Sequence, residues 1–222
     1  MSVRGLYAIC DIDFLRARGV EPLAFVEAVL AAGPAALQLR AKSLGARATL
    51  ELMRALQARC TPLGVPFFAN DRPDLAFLAG CAGVHLGQAD PSVEDARRVA
   101  PGLAVGVSTH SIDQVERALA EAPAYLAFGP IFATSSKPDA EPVVGLSALA
   151  EVSRRCRAAR VPLVAIGGLS LERAPEVAEI ADAGAVISGL LPAGGLRDAG
   201  RAAALLHRAL GGLRAIDGAA AR

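Results

Sequence analysis

The chain contains no tryptophan, and phenylalanine and tyrosine together make up 4% of its 222 residues. That scarcity removes the aromatic platforms on which single-stranded nucleic acids are stacked. An excess of charge is missing too: 23 basic residues stand against 22 acidic ones, for a formal net charge of +1, and the basic residues are scattered rather than massed in a run. Neither a nucleic-acid groove nor a surface for acidic membranes follows from such a balance. No apolar stretch approaches the roughly 18 residues of a spanning helix. The first apolar run, from Leu6, is cut off by Asp11, which leaves no signal-peptide core. Cysteine is sparse and dispersed: Cys10, Cys60, Cys81 and Cys156 form no CxxC and no Cys/His pair at zinc spacing. Free thiols in a reducing cytosol are the expectation, and with them a soluble cytoplasmic chain that has no nucleic-acid or membrane partner.

What the chain does have is apolar content, 53% of its residues, enough for one large core. Short β-type runs alternate with longer helical patterns, the signature of repeated βα units around a parallel sheet. The runs predict strands at Leu6–Cys10, Ala36–Leu39, Pro66–Ala69, Gly83–Leu86, Ala104–Val107, Tyr125–Phe128, Pro162–Ile166 and Ala185–Ile187. Helices are predicted near Pro22–Ala32, Ala46–Cys60, Pro73–Ala79, Ser92–Ala100, Ser111–Ala120, Leu146–Ala159, Ser170–Ala181 and Arg197–Leu210. Eight units without a linker fit a single-domain (β/α)8 TIM barrel over residues 1–210, with residues 211–222 as a frayed and functionally silent tail. A doubly wound open sheet is the competitor, but no G-x-G-x-x-G follows the first strand. One connection is out of proportion: residues 129–145, GPIFATSSKPDAEPVVG, carry no helical or strand period and hold three prolines. A loop of that length in a compact barrel suggests a functional lid.

The stretch PFFANDRPDLAFLAGCAGVHLGQAD, residues 66–90, organises the rest. It reads as strand, helix, strand, with Asp71 following the first strand and Asp90 the second. Neighbouring parallel strands lie about 4.8 Å apart, so both carboxylates would stand on one rim, where hard oxygen ligands suit Mg²⁺. The alternative is that Asp71 caps the helix beginning near Pro73 and Asp90 the one after Pro91.

Active sites of (β/α)8 barrels are built from residues just after the strand ends. Here those residues are Gln38-Leu39-Arg40-Ala41-Lys42, Asn70-Asp71, Gln88-Ala89-Asp90, Ser108-Thr109-His110, Thr134-Ser135-Ser136-Lys137, Gly167-Gly168 and Ser188-Gly189. Cations, acids, hydroxyls and glycine turns converging on one rim describe a site for phosphorylated ligands. Each has a plainer reading as well: lysines on an ordinary surface, Arg40 as a structural ion-pair partner, Gly-Gly as a strand end. Gln38 would point into the barrel from an apolar strand and needs a partner there, which makes it a candidate for reading a hydrogen-bonding heterocycle. No G-x-S-x-G elbow is present, and no cysteine falls on the rim near a histidine. His85, inside a strand, reads as a satisfied core or rim residue, His110 as a helix-cap neighbour or supporting group, and His207 as solvent-facing.

The strings LQLRAK, FANDRPDLA, GVHLGQAD, VGVSTHS, FGPIFATSSK, VAIGGLS and AVISG occur in an order and spacing that resembles thiamine phosphate synthases, over Leu37 to Gly189. The resemblance implies a Mg²⁺-dependent transferase in a (β/α)8 barrel. Such an enzyme joins 4-amino-2-methyl-5-(diphosphooxymethyl)pyrimidine to a thiazole phosphate, plain or carboxylated, and releases diphosphate. It implies that Gln38, Leu39, Arg40, Ala41, Lys42, Asn70, Ser108 and Lys137 bind the pyrimidine diphosphate, with Arg40, Lys42, Ser108 and Lys137 catalytic. It further implies that Asp71 and Asp90 bind Mg²⁺, that Thr134, Ser135, Ser136, Gly168, Ile187 and Ser188 bind the thiazole phosphate, and that a homodimer or other small assembly forms. Two positions depart from the family's pattern: Ala41 stands where a Glu is usual, and Ser136 where a Thr is usual. The competing readings are a thiazole tautomerase-like paralogue, whose catalytic histidine would fall at Pro130, and a non-catalytic thiazole-phosphate-binding protein.

Overall fold

The computed structural model describes residues 3–134 and 141–212. Eight parallel strands close into a barrel in sequence order, β1 pairing with both β2 and β8. They are β1 Gly5–Asp11, β2 Ala36–Arg40, β3 Phe67–Asn70, β4 Gly83–Leu86, β5 Ala104–Thr109, β6 Tyr125–Phe128, β7 Leu163–Ile166 and β8 Ala183–Val186. The helices among the described residues are α1 Ile12–Arg16, α2 Pro22–Leu30, α3 Ala46–Cys60, α4 Pro73–Ala79, α5 Val93–Val99, α6 Ile112–Ala120, α7 Gly145–Ala159, α8 Ala174–Ala178 and α9 Leu196–Ala209. The expected (β/α)8 architecture is therefore the one the chain adopts.

Strand side chains alternate between two faces, and that alternation sorts the barrel into two cores. Leu6, Ala8 and Cys10 of β1 and Leu37 and Leu39 of β2 face the helices, in one cluster with Phe25, Met53 and Leu206. Tyr7 and Ile9 of β1 turn inward instead, with Phe68, Tyr125, Val164, Ala185 and Ile187. The same period places Asp11, Gln38 and Arg40 on the inner side, beside Ile9.

Several local expectations need correction. Asp11 opens an additional short helix, α1: its Oδ1 accepts from Phe14 N at 2.9 Å. β8 begins two residues earlier than the apolar run suggested, because Ala183 and Gly184 pair with Gly5 and Leu6 of β1 although they carry little side chain. α8 shrinks to five residues; Pro175, which lacks an amide hydrogen, sits at its second position, where a helix starts but does not continue through. His207 is not solvent-facing but 5% exposed. Its Nδ1 accepts from Leu6 N at 3.2 Å, in space left by Gly5, where a Cβ would lie 2.8 Å from the imidazole. Gly211 and Gly212 are not frayed either: Gly211 O accepts from Arg4 Nε at 3.2 Å and Gly212 N donates to His207 O at 2.8 Å. The remainder of the expected tail, 213–222, lies outside the described residues. All four cysteines are buried free thiols, and among the described residues no helix is long and apolar enough to cross a membrane.

Candidate active site

The C-terminal mouth of the barrel opens into a cavity of about 770 Å³, the size of a small-molecule site. A second cavity, of about 170 Å³, adjoins it. Ser108, His110, Ile166, Ala185, Ile187 and Ser188 line both, so the two form one bilobed site with a waist of mixed polar and apolar side chains.

The larger lobe gathers Gln38, Arg40, Lys42, Asn70, Asp71, Asp90 and Ser108. Arg40 reaches it through a partner that the sequence did not disclose. Its Nη1 lies 2.6 Å from Asp11 Oδ2, with the Asp11 side chain 2% and the Arg40 side chain 16% exposed. One carboxylate thus caps α1 with one oxygen and holds the arginine with the other. Leu39 and Ala41 do not line either cavity. Alternation along β2 sends Leu39 outward among the helices, and Ala41 packs against that same core, so their side chains are removed from the expected set of pyrimidine diphosphate contacts.

Asp71 and Asp90 stand where the strand order places them, and neither is spent as a helix cap. Arg72 occupies the N-cap of α4, and Ser92 caps α5 by accepting from Asp95 N. The chain turns sharply at Asp71, whose φ of 65° is left-handed, a conformation that aspartate tolerates better than most side chains. Its amide donates to His85 O at 2.9 Å, and its Oδ2 lies 2.9 Å from Lys42 Nζ. Asp90 Oδ2 accepts from Gly87 N at 2.7 Å. Burial holds the Asp90 carboxyl above the usual carboxylate range, and the neighbouring Asp71, within hydrogen-bonding reach of it, raises it further. Two acids crowded in this way, with Lys42 as the neighbouring counter-charge, suit a small hard cation that takes one or two protein carboxylates. Among the described residues no larger group of His, Cys, Asp and Glu is gathered for a metal.

The smaller lobe is lined by Thr134, Gly167, Gly168, Ile187 and Ser188, with Pro130 and Glu141. Gly167 and Gly168 have φ of 99° and 64°, and a Cβ on Gly168 would lie 2.4 Å from Ala133 O. Only glycine fits there, because Pro130, Phe132 and Ala133 fill the space that a side chain would take. Ser135, Ser136 and Lys137, named from the sequence, lie outside the described residues, as does the centre of the 129–145 connection expected to close as a lid.

Tyr7 and Tyr125, which sequence reasoning passed over, complete the floor with His85, which is the satisfied core or rim residue expected of it. Tyr7 and Tyr125 line the larger lobe from within the barrel, and His85 bridges Tyr125 and Ser108. His110 Nδ1 pairs with Gly129 O at 2.5 Å, which ties the β5 end to the start of the long connection.

Comparison with known proteins agrees with this architecture. A family model described as thiamine monophosphate synthase matches residues 6–190. The thiamine-phosphate synthase of Anaeromyxobacter dehalogenans is 41% identical over 97% of this chain and 91% of its own length. That of Methanocella arvoryzae is 39% identical over 84% of this chain and 86% of its own. Among solved structures, thiamine phosphate pyrophosphorylase from Pyrococcus furiosus superposes with a TM-score of 0.81 at 29% identity, covering 93% of this chain and 95% of that one. On the extent of that match, and with a barrel of the same form, the chain belongs to the thiamine monophosphate synthase family of transferases.

Proposed function

We propose that the bilobed site binds 4-amino-2-methyl-5-(diphosphooxymethyl)pyrimidine in its larger lobe and a thiazole phosphate, plain or carboxylated, in its smaller one, and joins them to give thiamine phosphate and diphosphate. The observation that carries this reading is the charge layout. Arg40, Lys42, Asp71 and Asp90 all line the larger lobe, and a glycine-lined pocket lies across the Ser108–Ser188 waist.

Arg40, held in place by Asp11, and Lys42 face the diphosphate, and by the family resemblance Lys137 joins them. Their positive charge stabilises the electron pair that leaves with the diphosphate as the methylene C–O bond breaks. Ser108 is a lining hydroxyl that meets an imidazole, His85 at 2.7 Å; with Nε2 as the donor of that bond the serine is not activated as a nucleophile, and the course is dissociative. The methylene cation is delocalised into the aminopyrimidine ring and then captured by the thiazole nitrogen, forming the C–N bond. Asp71 and Asp90 would hold a Mg²⁺, which when bound offsets charge on the diphosphate. The rest of the site orients two substrates across the waist and excludes water from the cation between them.

The test is diphosphate release from the purified protein given both substrates, with Mg²⁺ and then with excess chelator. Mg²⁺-dependent release with an equal amount of thiamine phosphate is expected. Binding of thiazole phosphate without any release would overturn the reading in favour of a binding protein or a tautomerase.

A further inference from the structure

Barrel interiors of this class are dominated by branched aliphatic side chains, but the layer beneath the larger lobe is not. Tyr7, Phe68, His85 and Tyr125 meet there. The Tyr125 ring lies edge-on to Phe68 at 5.5 Å and stacks on His85 at 5.6 Å. Their space comes from two strand glycines: a Cβ on Gly106 would lie 2.1 Å from the Tyr125 ring, and one on Gly83 2.4 Å from Phe68. Two strands therefore forgo side chains to admit rings, two of which carry hydroxyls.

Those hydroxyls form one continuous chain. Gln38 Nε2 donates to Tyr7 OH at 3.1 Å. The Tyr7 and Tyr125 hydroxyls are 2.7 Å apart, Tyr125 OH is 2.8 Å from His85 Nδ1, and His85 Nε2 is 2.7 Å from Ser108 Oγ. Burial raises both tyrosine pKa values, so each phenol keeps its proton. A phenol has a single proton to give, so the direction propagates. With Gln38 donating at one end, Tyr7 donates to Tyr125 and Tyr125 to Nδ1. The imidazole then carries its hydrogen on Nε2 and donates to Ser108. Both ends of the chain are cavity-lining residues. Gln38, its Nε2 turned to Tyr7 by one of its two N–H groups, keeps Oε1 as its acceptor; Ser108, with one of its two lone pairs taken by His85, keeps its O–H as its donor.

We propose that Tyr7, Tyr125 and His85 are positioning residues that lock this acceptor and donor in place, so that the site selects a 4-aminopyrimidine over its 4-oxo counterpart. The aminopyrimidine presents an amino donor beside a ring-nitrogen acceptor. The 4-oxo lactam presents the inverse pattern and would leave Gln38 and Ser108 facing groups of their own kind. A buried polar group left unpaired discriminates strongly between such isosteres. The inference rests on the pyrimidine reading above.

Two measurements test it. In ¹⁵N-labelled protein the His85 resonances, identified among the three histidines by a His85→Asn variant, should show a protonated Nε2 and a bare Nδ1. In Tyr125→Phe, which keeps the ring, the tautomers should mix. In kinetics, Tyr125→Phe and the double variant Tyr7→Phe/Tyr125→Phe should lower the preference for amino over oxo substrate by roughly tenfold or more. KM for the thiazole phosphate should stay unchanged. A protonated Nδ1 in the wild type, or a loss of rate with the amino/oxo preference intact, overturns the proposal. A wild type with the expected tautomer that releases no diphosphate overturns instead the substrate reading on which the selection stands.

Discussion

Replacing Asp11 with asparagine preserves the shape of the side chain and one oxygen for the Phe14 amide, while removing the charge that faces Arg40. The Asp11 carboxylate is 2% exposed and 2.6 Å from the guanidinium, so the contact is a charge-assisted bond with little water on one side. Such a bond is worth about 1.5–3 kcal/mol. Arg40 borders the cavity and is 16% exposed, so it can recover part of that from water, and we expect Asp11→Asn to cost about 2 kcal/mol. Asp11→Ala also forfeits the cap at Phe14 N, worth about 1 kcal/mol more. For a chain of this length 2 kcal/mol corresponds to a fall in Tm of roughly 4–8 °C. Urea unfolding of the two variants and the wild type separates the charge from the cap. The same change frees Arg40 to leave the position in which it meets the diphosphate. KM for the pyrimidine diphosphate should therefore rise about tenfold, while KM for the thiazole phosphate stays put. Wild-type stability and wild-type KM in Asp11→Asn would refute the view that Asp11 preorganises Arg40.

Gly168→Ala places a methyl 2.4 Å from Ala133 O at a φ of 64°; steady-state kinetics should show a KM for thiazole phosphate raised at least about tenfold and the pyrimidine KM spared. Asp90 behaves as an acid whose native pKa is raised by burial and by Asp71, so the native state retains a proton that the unfolded chain releases. Its stabilising contribution is present below the unfolded carboxylate value, near 3.9, and is lost as pH rises through the raised native value. Asp90→Asn removes that loss. In metal-free buffer its Tm relative to wild type should rise with pH across this window, and in Mg²⁺-containing buffer its diphosphate release should be abolished; a relative Tm that falls over the window would contradict the assignment. Burial pushes the Cys60, Cys81 and Cys156 thiols up to about 12 and Cys10 higher still. An aromatic disulfide reagent should therefore modify the native protein only at the rate of unfolding, and rapid stoichiometric labelling without urea would contradict the burial.

The alternation of short apolar runs with longer helical patterns determined the barrel, because a parallel strand buried on both faces reads as a short apolar run wherever it lies in the chain. It also determined that Gln38 points inward and that Asp71 and Asp90 stand on one rim, since strands adjacent in sequence are adjacent in space. The side chains of Leu39 and Ala41 turn away from the cavity, because a motif names consecutive residues whereas a strand gives only alternate side chains to one face. The tertiary structure decided the rest. Asp11 and Arg40 are 29 positions apart, and only the pairing of β1 with β2 makes them partners. Tyr7, His85 and Tyr125 look like ordinary strand residues until barrel closure brings three strands to one floor. Gly106, unremarkable in sequence, is decided by a ring from the next strand, and His207 is buried because α9 packs back against β1 at the far end of the barrel. Local pattern carries which face a residue takes; which residue it meets there depends on contacts across the closed sheet, and those have no period in the chain.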